Sequence, residues 1–207
     1  MELSVFLAEA LSPDQSRRNQ AEINIDIIAS QNFGLFLLNC SKELCDESKQ
    51  KGIRQIASTI IKNMILFTEK YKGQWELLHR DIKTEIKQHV LSTLASSDKD
   101  IRKAAGIAVA GICKVELPLG EWGEIISILC QTSQNENIYI QLASVTTLGY
   151  ITQEISTRDL NDEQVCLILS AYYQILNISN DLDLQGQTII SLLHFIPFTK
   201  RIFENKV

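Results

Sequence analysis

Three histidines, five cysteines and 25 acidic side chains are the groups from which this 207-residue sequence would have to build catalysis or a metal site. His79, His89 and His194 lie far apart and share no ligand-like spacing with Cys or carboxylate, so no metal site is expected. Cys40, Cys45, Cys113, Cys130 and Cys166 are odd in number and form no C-x-x-C. All but Cys45 sit in or beside apolar stripes, which predicts reduced, mostly buried thiols in a cytosolic or nuclear protein. Asp98 with Asp100, and Asp181 with Asp183, read as solvated loop carboxylates rather than acid/base pairs. No G-x-x-x-x-G-K-[ST], G-x-S-x-G or H-E-x-x-H occurs. These residues point away from an enzyme and from any cofactor, and toward a scaffold that works through its surface.

The elements that shape that surface are legible in the composition. The chain has only nine glycines and three prolines, below the average usage of about 7% and about 5%. Folds rich in tight turns need more of both, so long helices joined by short polar loops are expected. A hydrophobic share of 45% excludes global disorder. No run approaches the ~18 apolar residues of a membrane span. The opening MELSVFLAEALSPD lacks a basic segment, so it does not read as a secretory signal. The net charge of −5 disfavours nucleic acid and is compatible with basic protein partners.

The sequence repeats. Arg18-x-x-Ala21, Arg54-x-x-Ala57 and Arg102-x-x-Ala105 each open an apolar run; Ile140-x-x-Ala143 and Gln187-x-x-Ile190 open two weaker ones. The anchors fall 36, 48, 38 and 47 residues apart, within reach of the ~40–47-residue period of HEAT and armadillo arrays. Amphipathic stretches lie between them, from Phe33 to Leu44, Trp75 to Leu94, Trp122 to Leu129 and Val165 to Tyr172. The predicted fold is all-α, a right-handed α-solenoid of HEAT repeats with about five helix pairs and the start of a sixth. One N-terminal HEAT-repeat (armadillo-type) domain then fills 1–207, with repeats at 1–31, 32–70, 74–115, 119–156, 160–196 and a partial 197–207. Ser12-Pro13-Asp14, Ser97-Asp98 and Asn161-Asp162 mark helix starts, and Leu117-Pro118-Leu119-Gly120 a break. Pro197 is read as opening the sixth unit, whose early stop suggests a piece of a longer solenoid.

A series of motifs runs along the chain. It begins with Ser12-Pro13-Asp14 and Ala21-Glu22, followed by Arg54-x-x-Ala57 leading to Ile61-Lys62-Asn63. Val109-Ala110-Gly111-Ile112, Glu116-Leu117-Pro118 and Trp122-x-Glu124-Ile125-Ile126 come next. Leu148-Gly149-Tyr150-Ile151-x-Gln153 and Phe198-Thr199-Lys200-x-x-Phe203 complete it. Taken in order, these motifs resemble the importin-β (karyopherin-β) family of nuclear import receptors. Gly123 stands where the family has proline, and the connection around Asp46 to Lys49 looks short.

The resemblance implies a receptor that shuttles between cytoplasm and nucleus. Such a receptor carries cargo directly or through importin-α, binds Phe-Gly nucleoporins on its outer A-helix face, and releases cargo when RanGTP binds the inner B-helix face. It places a Phe-Gly groove on Leu169, Ser170, Tyr173 and Phe203, and a Ran contact on Lys62 and Asn63. The importin-α grip belongs mostly to later repeats. Helix geometry agrees in part: Leu169, Tyr172, Tyr173 and Leu176 cannot all face one neighbour, so some apolar surface must point outward. On the second B helix, Ile53, Ile56, Ala57, Ile60 and Met64 are read as core, with Thr59, Lys62 and Asn63 turned away. The alternatives are a transportin-like receptor and a HEAT scaffold of the phosphatase-regulatory kind.

Overall fold

The computed structural model describes residues 3–204, except the side chains of residues 201, 203 and 204. Among the described residues ten α-helices follow one another: α1 (Leu3–Glu9), α2 (Gln15–Gln31), α3 (Phe33–Cys45), α4 (Lys51–Leu66), α5 (Arg80–Thr93), α6 (Lys99–Glu116), α7 (Glu124–Thr132), α8 (Ile138–Glu154), α9 (Asp162–Ile178) and α10 (Leu182–Glu204). No strand occurs among the described residues. The chain divides into two compact units, Met1–Ala108 and Val109–Val207, with the division inside α6.

In the first unit α3 packs on both α4 and α5, and α1 packs on α2 and α4. Phe36, Leu37 and Leu44 on α3, with Ile61 on α4 and Ile86 on α5, are fully buried. In the second unit odd-numbered helices pair with odd and even with even, α7 on α9 and α8 on α10, while α7–α8 and α9–α10 close each pair. Val145, Leu148, Val165, Ile168 and Phe195 are completely buried there. This is the packing of stacked repeats, in which a helix pair covers its apolar face with its neighbour.

The predicted caps form. The Asp14 carboxylate accepts the Ser16 and Arg17 amides at 2.7 and 3.3 Å. Asp98 accepts the Asp100 and Ile101 amides. Asn161 and Gln164 exchange side-chain and backbone hydrogen bonds in a capping box. Gly120 ends the Leu117–Leu119 turn at φ 73°, a left-handed position that glycine occupies without steric cost.

The recurring arginines latch the turns between paired helices. Arg18 donates to the carbonyl oxygens of Ser12 and Pro13, and Arg102 to those of Ser96 and Ser97. Arg54 donates from Nε to the Leu44 carbonyl at 2.8 Å. The fourth and fifth pairs do the same with amides: Gln141 donates to Asn135 O and Gln185 to Ser179 O. In four of the five turns the acceptor lies six residues before the donor.

Three expectations need correction. The buried arc of α4 is Ile53, Arg54, Ala57, Ser58, Ile61 and Ile65, while Ile56, Ile60 and Met64 are only half-buried. Arg54 and Ser58 tolerate burial because Leu44 O and Ala104 O accept their hydrogen bonds, and this rotates the helix toward them. Pro197 does not open a new helix, because α10 runs through it to Glu204. Proline removes one backbone donor, yet Leu193 and Pro197 face solvent, so the freed Leu193 carbonyl can be hydrated. Buried Phe195 and Phe198 hold the helix on either side. Cys166 is exposed rather than buried, while Cys40, Cys113 and Cys130 are buried and Cys45 is intermediate.

Two consequences of this packing are testable. A Cβ on Gly149 of α8 would stand 2.5 Å from Ser191 Oγ and 3.3 Å from Ser191 Cα on α10. Ser191 Oγ is itself bonded to Val145 O, so it has little room to retreat. Gly149→Ala is therefore expected to destabilise by about 1–3 kcal/mol, despite gaining up to ~1 kcal/mol in helix propensity. Urea denaturation measures it, and an unchanged midpoint would show that α8 and α10 have slack.

Between α3 and α5, Ser41 Oγ lies 2.9 Å from His89 Nδ1. Burial pushes the imidazole below its ordinary 6.5; nearby Glu85 opposes the shift and Lys42 reinforces it. Lys42 and Glu85 pair with each other at 3.1 Å. A lowered folded-state value means that the unfolded chain takes the proton first. The full contribution of His89 is thus present above about pH 6.5 and declines as pH falls toward the folded value. His89→Gln should flatten the stability profile over that acid limb, and equal slopes in both proteins would refute the assignment.

Candidate binding faces

The α9 face begins with its cap. Asn161 fixes the start of the helix, and Gln164 Nε2 donates to Gly123 O at 3.2 Å, tying α9 to the turn before α7. Val165, Ile168, Ala171, Tyr172 and Ile175 then point into the core. Tyr172 is enclosed, edge-on to Phe195 with ring centroids 5.9 Å apart, and its hydroxyl has no hydrogen-bond partner. Ser191 approaches it but gives its own proton to Val145 O. Burial drives the phenol upward, so Tyr172 stays neutral.

Its neighbour points the other way. Tyr173 is 69% exposed. Leu169 is half-buried and Ser170 exposed, with Leu176 half-buried one turn beyond Tyr173. Positions 169, 170, 173 and 176 fall on one side of a helix, so three of the four expected groove residues share an outward face and Leu176 joins them. Leu176 was discoverable from its i, i+3 spacing to Tyr173. The side chain of Phe203 lies outside the described residues. The expected second wall was a new helix beginning at Pro197, and that segment instead continues α10.

The α4 face is built at the helix C-terminus. Asn63 is exposed and Lys62 half-buried. The Asn63 carbonyl accepts the Phe67 and Thr68 amides, closing the last turn. That closure sets Lys62 Nζ 5.7 Å from the centroid of Phe67, a ring 63% exposed. Sequence reasoning did not single out Phe67, because Met64 three residues earlier gives it an apolar neighbour at helical spacing and so the look of a core position. On α2, Ile23 and Ile27 are also exposed, off the buried register of Ala21, Ile25 and Ala29.

Beside this face, Asp26 bonds Lys70 at 2.6 Å and the Tyr71 hydroxyl at 2.7 Å. The Lys70 and Tyr71 hydrogen bonds hold the Asp26 carboxyl below its ordinary range. Lys51 bridges Asp98 and Asp100. The exposed polar groups on α4 and α6 thus include both charge signs. Among the described residues no His, Cys and carboxylate group is arranged to hold a metal ion, and no helix is long and apolar enough to cross a membrane.

No family model matches the chain. Importin subunit beta-1 of Arabidopsis thaliana is 28% identical over 211 residues, covering 99% of this chain and 24% of that protein. The chain is a homologue of importin subunit beta-1. Its fold agrees with solved importin-β structures. One is of Kap95p, whose binding induces the switch loops of RanGDP to adopt the GTP-bound conformation, with a TM-score of 0.88 at 24% identity over 99% of this chain and 25% of that one. Another is the Kap95:Nup1 complex, with a TM-score of 0.87 at 25% identity over 99% of this chain and 25% of that one. Kap95p is yeast importin-β. This importin-β homologue spans about a quarter of the length of the relatives it matches. The family resemblance read from its motifs holds from end to end, and so does the all-α HEAT-repeat fold class.

Proposed function

We propose that this importin-β homologue is part of a nuclear import receptor that works by binding alone, without catalysis. It moves between cytoplasm and nucleus. It engages Phe-Gly nucleoporins through Leu169, Ser170 and Tyr173 on α9, with Phe203 as a further contact. It engages Ran through Lys62 and Asn63 on α4. Importin-α and cargo are held mainly by segments outside these 207 residues.

The observation that carries the nucleoporin reading is the outward turn of Tyr173 beside half-buried Leu169. An apolar face of this size on a soluble helix suits a phenylalanine side chain. Burying one such ring yields roughly 1.5–3 kcal/mol before ordering costs, so each contact is weak and releases quickly. The Ran reading rests on homology and on a lysine and an amide side by side at a helix end, which suit charged and polar groups of a partner. Kap95p forces RanGDP toward the GTP-bound conformation. If this chain recognises the same conformation, RanGDP must pay for the rearrangement and binds more weakly than RanGTP.

Binding of the 207-residue chain to Ran loaded with a non-hydrolysable GTP analogue, against Ran loaded with GDP, is the deciding experiment. Preference for the GTP form is expected, weakened about three- to tenfold by Lys62→Ala. In a Phe-Gly peptide titration, Tyr173→Ser should weaken binding about tenfold and leave Ran binding unchanged. A chain indifferent to the Ran nucleotide and to Phe-Gly peptides would instead be a HEAT scaffold of another kind.

A further inference from the structure

The end of α4 that carries Lys62 and Asn63 is tied to α2 through the connection that follows it, residues 67–79. The Asp26 carboxylate on α2 holds two successive side chains of that connection, Lys70 Nζ at 2.6 Å and the Tyr71 hydroxyl at 2.7 Å. The Tyr71 ring is buried and stacks on Phe33 at the start of α3, with centroids 5.2 Å apart. Buried Trp75 anchors the same connection four residues later. From Tyr71 the bonds run back to α4. The Tyr71 amide donates to Thr68 O at 2.9 Å, and the Phe67 amide, the Thr68 amide and the Thr68 hydroxyl all donate to Asn63 O. Phe67 then sets its ring against the Lys62 ammonium. One carboxylate on α2 is thus joined by a continuous series of contacts to Lys62 and Asn63.

We propose that Asp26 is a positioning residue for the partner-binding end of α4: through Tyr71 it holds the turn after the helix, so that Lys62 and Asn63 are presented in one arrangement. The inference rests on the reading of those two residues as a Ran contact. The Asp26–Lys70 pair is half exposed, so it adds little to stability. The bond from Tyr71 differs, because a buried and stacked ring aims its hydroxyl at the carboxylate, and a carboxylate acceptor strengthens and shortens the bond. Deleting that bond frees the turn and leaves the buried residues of α4 in place. A freed turn lets Phe67 and Lys62 sample other arrangements, and apparent affinity falls in proportion to the fraction that remains competent. Holding the turn beforehand removes this ordering cost from binding.

Tyr71→Phe keeps the stacked ring and deletes only the hydroxyl, so it is the central variant. Binding of the 207-residue chain to Ran loaded with a non-hydrolysable GTP analogue should weaken about threefold in Tyr71→Phe and in Asp26→Ala, with the helical circular dichroism unchanged. Asp26→Asn still accepts from Tyr71 and should recover most of the loss. In a Lys62→Ala/Asn63→Ala background Tyr71→Phe should cost nothing further, because the groups it positions are gone. Amide hydrogen exchange without Ran gives a separate readout. The Phe67 and Thr68 amides should exchange at least about fivefold faster in Tyr71→Phe, while the amides of α3 keep the parent rates. Parent-like exchange at Phe67 and Thr68 overturns the positioning role and leaves the Ran reading standing. So does a full additional loss in the Lys62→Ala/Asn63→Ala background, which would mean that Tyr71 acts on binding by another route. Parent-like Ran binding by Lys62→Ala/Asn63→Ala itself overturns the Ran reading, and this inference with it.

Discussion

Phe195→Ala is expected to destabilise the protein by about 3–5 kcal/mol, the range for truncating a fully buried aromatic side chain. Phe195 has no exposed surface. Its ring meets Tyr172 edge-on at 5.9 Å and stacks on Phe198 at 5.5 Å, so one side chain joins α9 to two successive turns of α10. Removing it deletes two aromatic pairs, each worth roughly 0.5–1.5 kcal/mol beyond area burial, and leaves a cavity between helices. The loss has a second component. Pro197 breaks the hydrogen-bond ladder of α10 two residues later, so the helix there depends more on side-chain packing than an unbroken helix would. The melting temperature should fall by about 10 °C, while Ile178→Ala at an exposed site should leave it within a degree or two. A Phe195→Ala protein as stable as the parent would mean that α10 is held by its N-terminal half alone.

Pro197 also shows where sequence reasoning stops. The local rule, that proline ends a helix, is sound as an average and fails here because Phe195 and Phe198 outweigh a cost of ~3 kcal/mol. Tertiary burial is invisible to a residue-by-residue reading. The same limit explains α4. Its isoleucines occupy two neighbouring stripes, and nothing in their spacing says which is deeper. The choice falls to Arg54 and Ser58, whose buried hydrogen bonds to distant carbonyls exist only in the folded chain. Features set by local chemistry were legible: the Asp14 and Asn161 caps, the Leu117–Gly120 break, and the opposed orientations of Tyr172 and Tyr173, which follow from the 100° step of a helix. The outward face of α9 was therefore readable. Its expected second wall was not, because that expectation depended on a helix start at Pro197.

The turn latches make the sharpest separate test, because the same contact recurs at different depths. Arg102 is buried, and its Nη1 donates to Ser96 O at 2.7 Å and Ser97 O at 2.9 Å. Arg102→Met keeps the apolar stem and removes the donor, so packing loss is small and the measured cost reports the carbonyls. A buried carbonyl left without its partner costs about 1–3 kcal/mol, and bonds to a charged donor lie at the upper end. The expected loss is about 2–4 kcal/mol, with Arg102→Lys recovering part of it. Arg18→Met removes the corresponding pair of bonds to Ser12 O and Pro13 O, at 2.7 and 2.8 Å. Those bonds are part-buried and exposed, so water replaces the guanidinium and the loss should stay below about 1 kcal/mol. Equal losses at the two sites would show that the arginines act through the unfolded chain or through long-range charge. A loss confined to Arg102 would show that desolvation of the turn, not the hydrogen bond as such, keeps a guanidinium at the third turn where glutamines serve the fourth and fifth.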